Sequence, residues 1–183
     1  GAAWHKPDSL LQTLLHGCFL GDSDHAEKVD FIAELCSAAA LGYATKITSP
    51  KAVILHGATA ENGKSQVLDL IRGVLPKSAI AAIAPGKFSD NTMIVQLVGK
   101  HLNATDELSG AVAIAGDAFK AVVTGDVITG RDVYQPAMTF PPIALQVHAT
   151  NTLPPFSGGF DRGVRRRLAV LEEALSVWVG DGL

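Results

Sequence analysis

Three consecutive residues, Gly63, Lys64 and Ser65, together have the groups needed to bind the phosphates of a nucleotide. They end the segment HGATAENGKS at 56–65, whose small residues let backbone N–H groups point at an anion. A helix that begins there adds the favourable end of its dipole. Lys64 can then contact the outer phosphates, and the Ser65 hydroxyl can ligate Mg²⁺. The nucleotide-binding residues that we predict are Gly57, Asn62, Gly63, Lys64, Ser65 and Gln66.

The first half of this loop departs from the usual pattern, in which four residues separate a glycine from the Gly-Lys-Ser run. Position 58 is alanine, and the nearest glycine is Gly57. Either the loop is one residue longer, or Ala58 is tolerated in the turn. An ordinary Gly-Lys loop between a strand and a helix is the alternative interpretation, but the apolar periodicities on both sides fit a phosphate-binding loop.

Two acidic residues, Asp106 and Glu107, follow a second strand-like run, HLNAT at 101–105. An acid in this place can hold Mg²⁺ through its water shell, opposite Ser65, and this is the role that we expect for Asp106. Glu107 can polarise the attacking water as a general base. The alternative is a solvated acidic turn with no chemical role.

Asn151 follows another apolar run, at 143–149, which predicts a buried strand. An amide at the end of a strand beside the phosphate-binding loop can hydrogen-bond the γ-phosphate or the attacking water. Asn151 is therefore a candidate sensor of the phosphate, with an ordinary strand-ending asparagine as the alternative.

A cluster of arginines lies near the end of the chain, at Arg162, Arg165, Arg166 and Arg167. Arginine stabilises the charge on a transferring phosphoryl group, an effect worth ~10³ to 10⁵ in rate. An exposed basic turn or a salt-bridged cluster is the alternative interpretation.

The segment DVITGRDVY at 126–134 places β-branched residues on both sides of Thr-Gly-Arg, which predicts a β-hairpin with Arg131 at its tip. Arg131 is then either a DNA contact or a solvated surface arginine, and the residues favour neither.

The surrounding pattern predicts an α/β protein in which helices flank a central, mostly parallel sheet. We expect a short strand at 52–55 and another at 79–84. Helical spacing of apolar residues occurs at 9–20, from a capping pair of Asp24 and Glu27 to Tyr43, and at 66–75, 91–98 and 111–124. Residues 1–46 are interpreted as an N-terminal helical segment and residues 47–183 as the P-loop core.

Composition restricts the functional classes. The 183 residues are 48% hydrophobic and 18% charged, as in a globular protein, and the net charge of −3 argues against a broad nucleic-acid surface. No apolar run is long enough to span a bilayer, and no signal peptide is recognisable. The first residue is glycine, so we expect a segment of a longer protein. Cys18 and Cys36 lack a paired motif, which favours core thiols in a reducing compartment, and the histidines lack metal-ligand spacing.

Taken in order, these motifs resemble the superfamily-three helicases, most closely the phage and plasmid primase-helicase branch that also includes poxvirus primase-helicases. The matching text is NGKS at 62–65, GKHLNATDEL at 99–108, the stretch from Phe119 to Arg131, ATN at 149–151 with the following Leu-Pro, and residues 161–168.

The resemblance implies an AAA+-like ATPase core that assembles as a ring, commonly a hexamer, with ATP and Mg²⁺ bound between neighbouring subunits. It makes Lys64 and Ser65 the Walker A residues, Asp106 and Glu107 the Walker B residues, and Asn151 sensor 1. The arginine finger then comes from Arg162 or the 165–167 run, with Arg166 and Arg167 the closer match. The hairpin around Arg131 becomes a pore loop that grips single-stranded DNA, with Lys120 nearby.

The expected function is ATP-dependent movement along single-stranded DNA in replication, with replication proteins or a fused primase domain as partners and no membrane. The expected location is the cytoplasm of a bacterial host that carries a phage, prophage or plasmid. A few charges per subunit, repeated around a ring, reconcile an acidic chain with a DNA partner. Two alternatives remain open: a P-loop small-molecule kinase, and a non-catalytic module that nucleotide binding orders into an assembly.

Overall fold

The computed structural model describes residues 13–15, 17, 19, 23–57 and 63–172. Its centre is a five-stranded sheet, whose strands, numbered along the chain, are β1 (Ala52–His56), β2 (Ile80–Ala81), β3 (Leu102–Thr105), β7 (Leu145–Thr150) and β9 (Leu168–Glu172). The strand order is β2-β3-β7-β1-β9, and every neighbouring pair is parallel. The predicted α/β class with a parallel central sheet is therefore confirmed.

Two small sheets complete the strand inventory of the described residues. The parallel pair is β4 (Ile114–Ala115) with β8 (Phe156–Ser157), and the antiparallel pair is β5 (Ile128–Gly130) with β6 (Met138–Phe140). The helices are α1 (His25–Leu41), α2 (Lys64–Gly73), α3 (Asn91–Ile94), α4 (Gly116–Thr124) and α5 (Arg162–Arg166). Short 3₁₀ turns cover Lys77–Ala79, Pro85–Lys87 and Val95–Leu97. None of the helices in the described ranges combines the length and the apolar character that crossing a membrane requires.

Helices cover both faces of the central sheet, as a wholly parallel sheet requires. Side chains alternate along β3, so that Leu102 and Ala104 join the core formed by α1, α2 and the sheet. The second core lies on the other face and includes Phe119 from α4 and Val164 from α5. Each large apolar side chain that is fully buried in these cores contributes about 1.5–3 kcal/mol.

The N-terminal helix α1 confirms the predicted helix after Asp24, and the left-handed Gly42, with φ of +63°, ends it. Within the described ranges the Asp24 side chain caps no backbone N–H and instead pairs with Lys28 at 3.2 Å, so the predicted capping pair with Glu27 is wrong. Tyr43 lies beyond the helix and is exposed.

The helix predicted at 9–20 lies largely outside the described residues, although positions 13–15 and 17 are helical. The domain boundary after residue 46 stays a prediction.

Tertiary pairing corrects the helix predicted at 111–124, which begins only at Gly116. Ile114 and Ala115 instead pair with β8, and Val112 is 45% exposed rather than aligned with the apolar face. The strand predicted at 79–84 shortens to Ile80–Ala81, the part that pairs with β3 in the strand register, whereas the Ile83 backbone hydrogen-bonds the Asn103 side chain instead. Helix α2 also ends at Gly73, before the predicted limit at 75.

Candidate nucleotide site

The parallel sheet brings three predicted motifs to one edge. Strand β1 leads into the predicted phosphate-binding loop, β3 ends immediately before Asp106, and β7 ends immediately before Asn151. Strand β7 pairs with both β1 and β3, so the carboxyl ends of all three strands are neighbours. Ligands of open α/β sheets bind at such an edge.

The described part of the phosphate-binding loop consists of Gly57 and of residues from Gly63 onwards, whereas Asn62 and the off-pattern Ala58 lie outside the described residues. Gly63 precedes the first residue of α2 with a φ of +78°, a conformation that suits glycine. Lys64 is only 8% exposed, and its Nζ donates to the Gly57 carbonyl at 3.2 Å. The lysine thus joins the two described ends of the loop and places a positive charge between them.

The first turn of α2 also contains Ser65 and Gln66, both of which are exposed. Their position at a helix N-terminus suits a phosphate ligand, because the N–H groups and the helix dipole both favour an anion there. The Gly57 N–H, in turn, donates to the Thr150 carbonyl at 3.3 Å, which ties the start of the loop to the end of β7.

Asp106 is held by Arg72, an arginine that sequence reasoning did not single out. The guanidinium donates from Nη1 to Oδ1 at 2.7 Å and from Nη2 to Oδ2 at 2.8 Å, which makes a bidentate pair. It also donates to Asp69 Oδ1 and to the Ala104 carbonyl, each at 3.2 Å. The hydrogen bonds from Arg72 lower the pKa of Asp106 below its ordinary value. The only partner that sequence spacing indicates for Arg72 is Asp69, three residues earlier on the same helix. Its pair with Asp106, 34 residues away, depends on the tertiary structure.

Glu107 and Asn151 are exposed residues that follow neighbouring strands. The two strand ends remain connected beyond the sheet, because the Leu108 N–H donates to the Ala149 carbonyl at 3.1 Å. Glu107 also lines a cavity of about 250 Å³. The predicted general base and the predicted sensor thus lie at the same edge of the sheet, after neighbouring strands, although Asn151 does not line this cavity.

Two buried polar pairs lie behind this edge, between β3 and β7. Asn103 Nδ2 donates to Gln146 Oε1 at 2.7 Å, and Thr105 Oγ1 lies 2.8 Å from His148 Nδ1. Both pairs are direct neighbours in the strand register. Burial lowers the pKa of His148 to about 3, and its Nε2 finds no hydrogen-bond partner among the described residues. These pairs fix β3 against β7, and the sequence pattern of two apolar strands did not reveal them.

The arginine cluster lies at the opposite edge of the sheet from the phosphate-binding loop. The Arg167 carbonyl accepts from the Ala52 N–H at 2.8 Å, and the Arg166 carbonyl accepts from Lys51 Nζ at 3.0 Å, so both arginines flank the start of β1. The loop follows the other end of β1, whose five residues span roughly 16 Å. Arg162 and Arg166 are exposed, and Arg167 is half-buried. The fold therefore does not bring these arginines to the phosphate-binding loop of their own chain.

The predicted hairpin exists, but its tip differs from the prediction. Thr129 and Gly130 belong to strand β5, and Gly130 pairs with Met138, so residues 131–137 form the connection. Arg131 begins this connection with an exposed side chain, and its N–H donates to the Asn91 carbonyl at 2.9 Å. Tyr134 lies within it, fully exposed and with a φ of +61°.

Lys120, expected near the hairpin as a DNA contact, forms two ion pairs. Its Nζ lies 2.8 Å from Asp117 and 3.3 Å from Asp161, the residue that caps α5. The hydrogen bonds that Lys120 donates to these carboxylates raise its pKa above the ordinary value. Lys120 thus connects α4 to the start of α5. Its positive charge is balanced by two carboxylates.

No cluster of three or more His, Cys, Asp or Glu side chains in the described ranges could hold a metal ion. A Mg²⁺ ion bound with ATP does not need one, because it keeps several waters and takes further oxygens from the phosphates. The Ser65 hydroxyl and the Asp106 carboxylate are the hard oxygen donors that such an ion prefers. Cys36 is buried, which raises the pKa of its thiol to about 11 and suits a core residue. Cys18 lies outside the described residues.

Comparisons with known proteins give a family and a fold. Residues 55–167 match the model of a family of unknown function (DUF5906). No curated protein matches the sequence significantly. Among solved structures, an apo structure of the NrS-1 C-terminal region is similar with a TM-score of 0.63 at 17% identity, over 90% of this chain and 38% of that one. Its A form gives 0.61 at 19% identity, over 88% and 37%.

JCV helicase, solved with a bound thiazolopyridine acetamide, is similar with a TM-score of 0.53 at 13% identity, over 91% of this chain and 46% of that one. The chain thus spans less than half the length of each of these structures. At such identities the likeness establishes the fold, a helicase-like α/β domain with a parallel central sheet between helices. With more than half of its length matched by one family model, the chain belongs to the family of unknown function DUF5906.

Proposed function

We propose that this domain is an ATP-hydrolysing motor of a replication helicase, which moves on single-stranded DNA and has its active sites between neighbouring subunits of a ring. The observation that carries this proposal is the division of the predicted site between two edges of one sheet. The phosphate-binding loop, the acids and Asn151 lie at the carboxyl edge, whereas the arginines lie at the amino edge. The shared fold with JCV helicase supports it.

At the carboxyl edge, each residue has a separate task in this proposal. Lys64 binds the outer phosphates, while Ser65 and Asp106 hold Mg²⁺, which when bound neutralises charge on the phosphate oxygens. Glu107 accepts a proton from the attacking water. Asn151 hydrogen-bonds the same water or the γ-phosphate and so fixes its position.

At the amino edge, the arginines act on the site of a neighbouring copy. A head-to-tail interface, repeated by rotation until it closes, places one edge of each subunit against the other edge of the next. Arg166 and Arg167 are then the candidates for the arginine that stabilises the transferring phosphoryl group, with Arg162 as a third. A hexamer is the ring that we propose.

The hairpin formed by β5 and β6 is the proposed DNA contact, with Arg131 for the backbone phosphates. Tyr134 joins it, because a fully exposed aromatic ring can stack on a base. The left-handed backbone of Tyr134 costs ~1–3 kcal/mol, and strain of this kind occurs preferentially at functional sites.

We propose that the protein acts in the cytoplasm of a bacterial host during phage, prophage or plasmid replication, with replication proteins or a fused primase domain as partners.

Steady-state ATP hydrolysis, with and without single-stranded DNA and over a series of protein concentrations, tests this function. We expect the specific activity to rise with both DNA and protein concentration, and to be lost in Lys64→Ala. Hydrolysis that is independent of DNA and strictly proportional to protein would instead support a self-contained site, as in a small-molecule kinase. Nucleotide-dependent assembly without turnover would support a non-catalytic module.

A further inference from the structure

Helix α2 contains both the start of the phosphate site and the residue that holds Asp106. Lys64 and Ser65 form its first turn, and Arg72 lies near its last residue, Gly73. Through the bidentate pair with Asp106, this helix is bonded to the end of β3, which is 34 residues away in sequence. One rigid element therefore links the two proposed ligands of Mg²⁺.

We propose that Arg72 is a positioning residue that fixes the Asp106 carboxylate for the Mg²⁺ that accompanies ATP, an inference that rests on the proposed function. Without Arg72, Asp106 would turn freely, because 62% of its side chain is exposed. A carboxylate has about four acceptor sites, so two hydrogen bonds from Arg72 do not exhaust it. The remaining sites can accept hydrogen bonds from the water shell of Mg²⁺.

Charge and geometry act in opposite directions here, which makes the proposal testable. A guanidinium beside a cation site weakens cation binding by repulsion, whereas a fixed carboxylate strengthens it. The repulsion is reduced by Asp69, because Arg72 lies between two carboxylates and the three side chains together remain negative. We therefore assign the larger effect to geometry. Partners that orient a metal ligand in this way typically change metal affinity by about 10- to 100-fold.

The test compares the affinity of the full chain for a fluorescent ATP analogue in Mg²⁺ with its affinity in EDTA. In Arg72→Gln we expect the ratio of the two affinities to fall about 10-fold. Arg72→Lys keeps the charge but loses the bidentate geometry, so it should give a smaller ratio than the wild type. Asp69→Asn is the matched comparison, because it removes the other partner of Arg72 but keeps the bidentate pair with Asp106. It should lower the ratio less than Arg72→Gln does, since it changes the local charge and leaves the geometry.

A double variant separates positioning from general damage to the fold. If Arg72 acts through Asp106, then Arg72→Gln should change the ratio no further once Asp106→Asn is present. A ratio that is unchanged or increased in Arg72→Gln would overturn the inference, as would fully additive losses in the double variant.

Thermal unfolding in EDTA identifies variants that have lost the fold. If Arg72→Gln is one of them, the affinity ratio of Arg72→Lys tests the inference instead. If the wild-type chain does not bind the analogue in Mg²⁺ or in EDTA, both the proposed function and this inference fail. If the wild-type chain binds it equally well in Mg²⁺ and in EDTA, only this inference fails.

Discussion

The two edges of the central sheet have opposite chemistry. The carboxyl edge combines a buried lysine with exposed carboxylates and an amide, whereas the amino edge has a cluster of arginines. In the proposed function, the carboxyl edge binds Mg²⁺ and phosphate, and the amino edge stabilises phosphoryl transfer. Because β1 separates the two edges, the proposed site needs one edge from each of two neighbouring copies.

The largest expected effect comes from removing two arginine side chains at the amino edge. The double variant Arg166→Ala, Arg167→Ala should lower the ATPase rate by ~10³-fold or more, with little change in nucleotide affinity, because a finger acts on the transition state. Mixed with the inactive Lys64→Ala, it should regain activity, since some interfaces then combine an intact loop with intact arginines. Rates of the separate and mixed variants, measured by phosphate release, check this.

Arg165→Ala is the matched comparison, because the Arg165 guanidinium already lies over the Phe160 ring at 5.4 Å and should be less important. An absence of recovery in the mixture, together with wild-type nucleotide binding in both partners, would contradict a site shared between subunits.

The next effect concerns the carboxyl edge. Glu107→Gln should lower the ATPase rate by ~10²- to 10⁴-fold, because a neutral amide cannot accept the proton of the attacking water. Nucleotide affinity should remain, which distinguishes this variant from Lys64→Ala. Single-turnover hydrolysis and equilibrium binding of a labelled nucleotide measure the two quantities. Equal losses in rate and in affinity would place Glu107 in nucleotide binding rather than in proton transfer.

A third prediction concerns the buried support of the carboxyl edge. His148 stays neutral in the fold, with a pKa of about 3, but takes up a proton below about pH 6.5 in the unfolded chain. The unfolded state therefore binds more protons, and the contribution of His148 to the free energy of unfolding should fall by about 1.4 kcal/mol per pH unit below about pH 6.5. This loss should continue until the pH approaches 3, where the folded state also binds the proton.

The variant His148→Gln keeps a group that can hydrogen-bond Thr105 but removes the titration. Its free energy of unfolding, measured by urea denaturation at several pH values, should depend less on pH between about 6 and 4. Identical pH slopes in the two proteins would show that His148 is not the group responsible.

The smallest expected effect is on DNA. Tyr134→Ala should weaken binding of single-stranded DNA by about 1–3 kcal/mol, the usual contribution of one stacked base, without lowering the melting temperature. Fluorescence anisotropy with a labelled oligonucleotide measures it, and Val127→Ala, an exposed residue just before β5, is the control. A loss of the same size in both variants would argue against stacking by Tyr134.

Local patterns were most informative where the chemistry depends on neighbours in sequence. The strand before the phosphate-binding loop, the helix after it, and the positions of Asp106 and Asn151 after strands all follow from short-range periodicity, and the structure places them as predicted. The same patterns were wrong at 111–124, where helical spacing continued into residues that pair with β8. They also predicted Arg131 at the tip of the hairpin, whereas in the structure Arg131 is the first residue of the connection at 131–137.

Contacts between distant residues account for the rest. The sequence by itself determined the α/β class, the strand-loop-helix around Lys64, and the chemical character of each motif, because these depend on residue type and local spacing. The tertiary structure decided that Arg72 holds Asp106, that Asp117 and Asp161 pair with Lys120, and that the arginines lie at the edge opposite the loop. The physical reason is that strand order and register determine which distant side chains meet. Neither can be predicted from the residue spacing within a single segment.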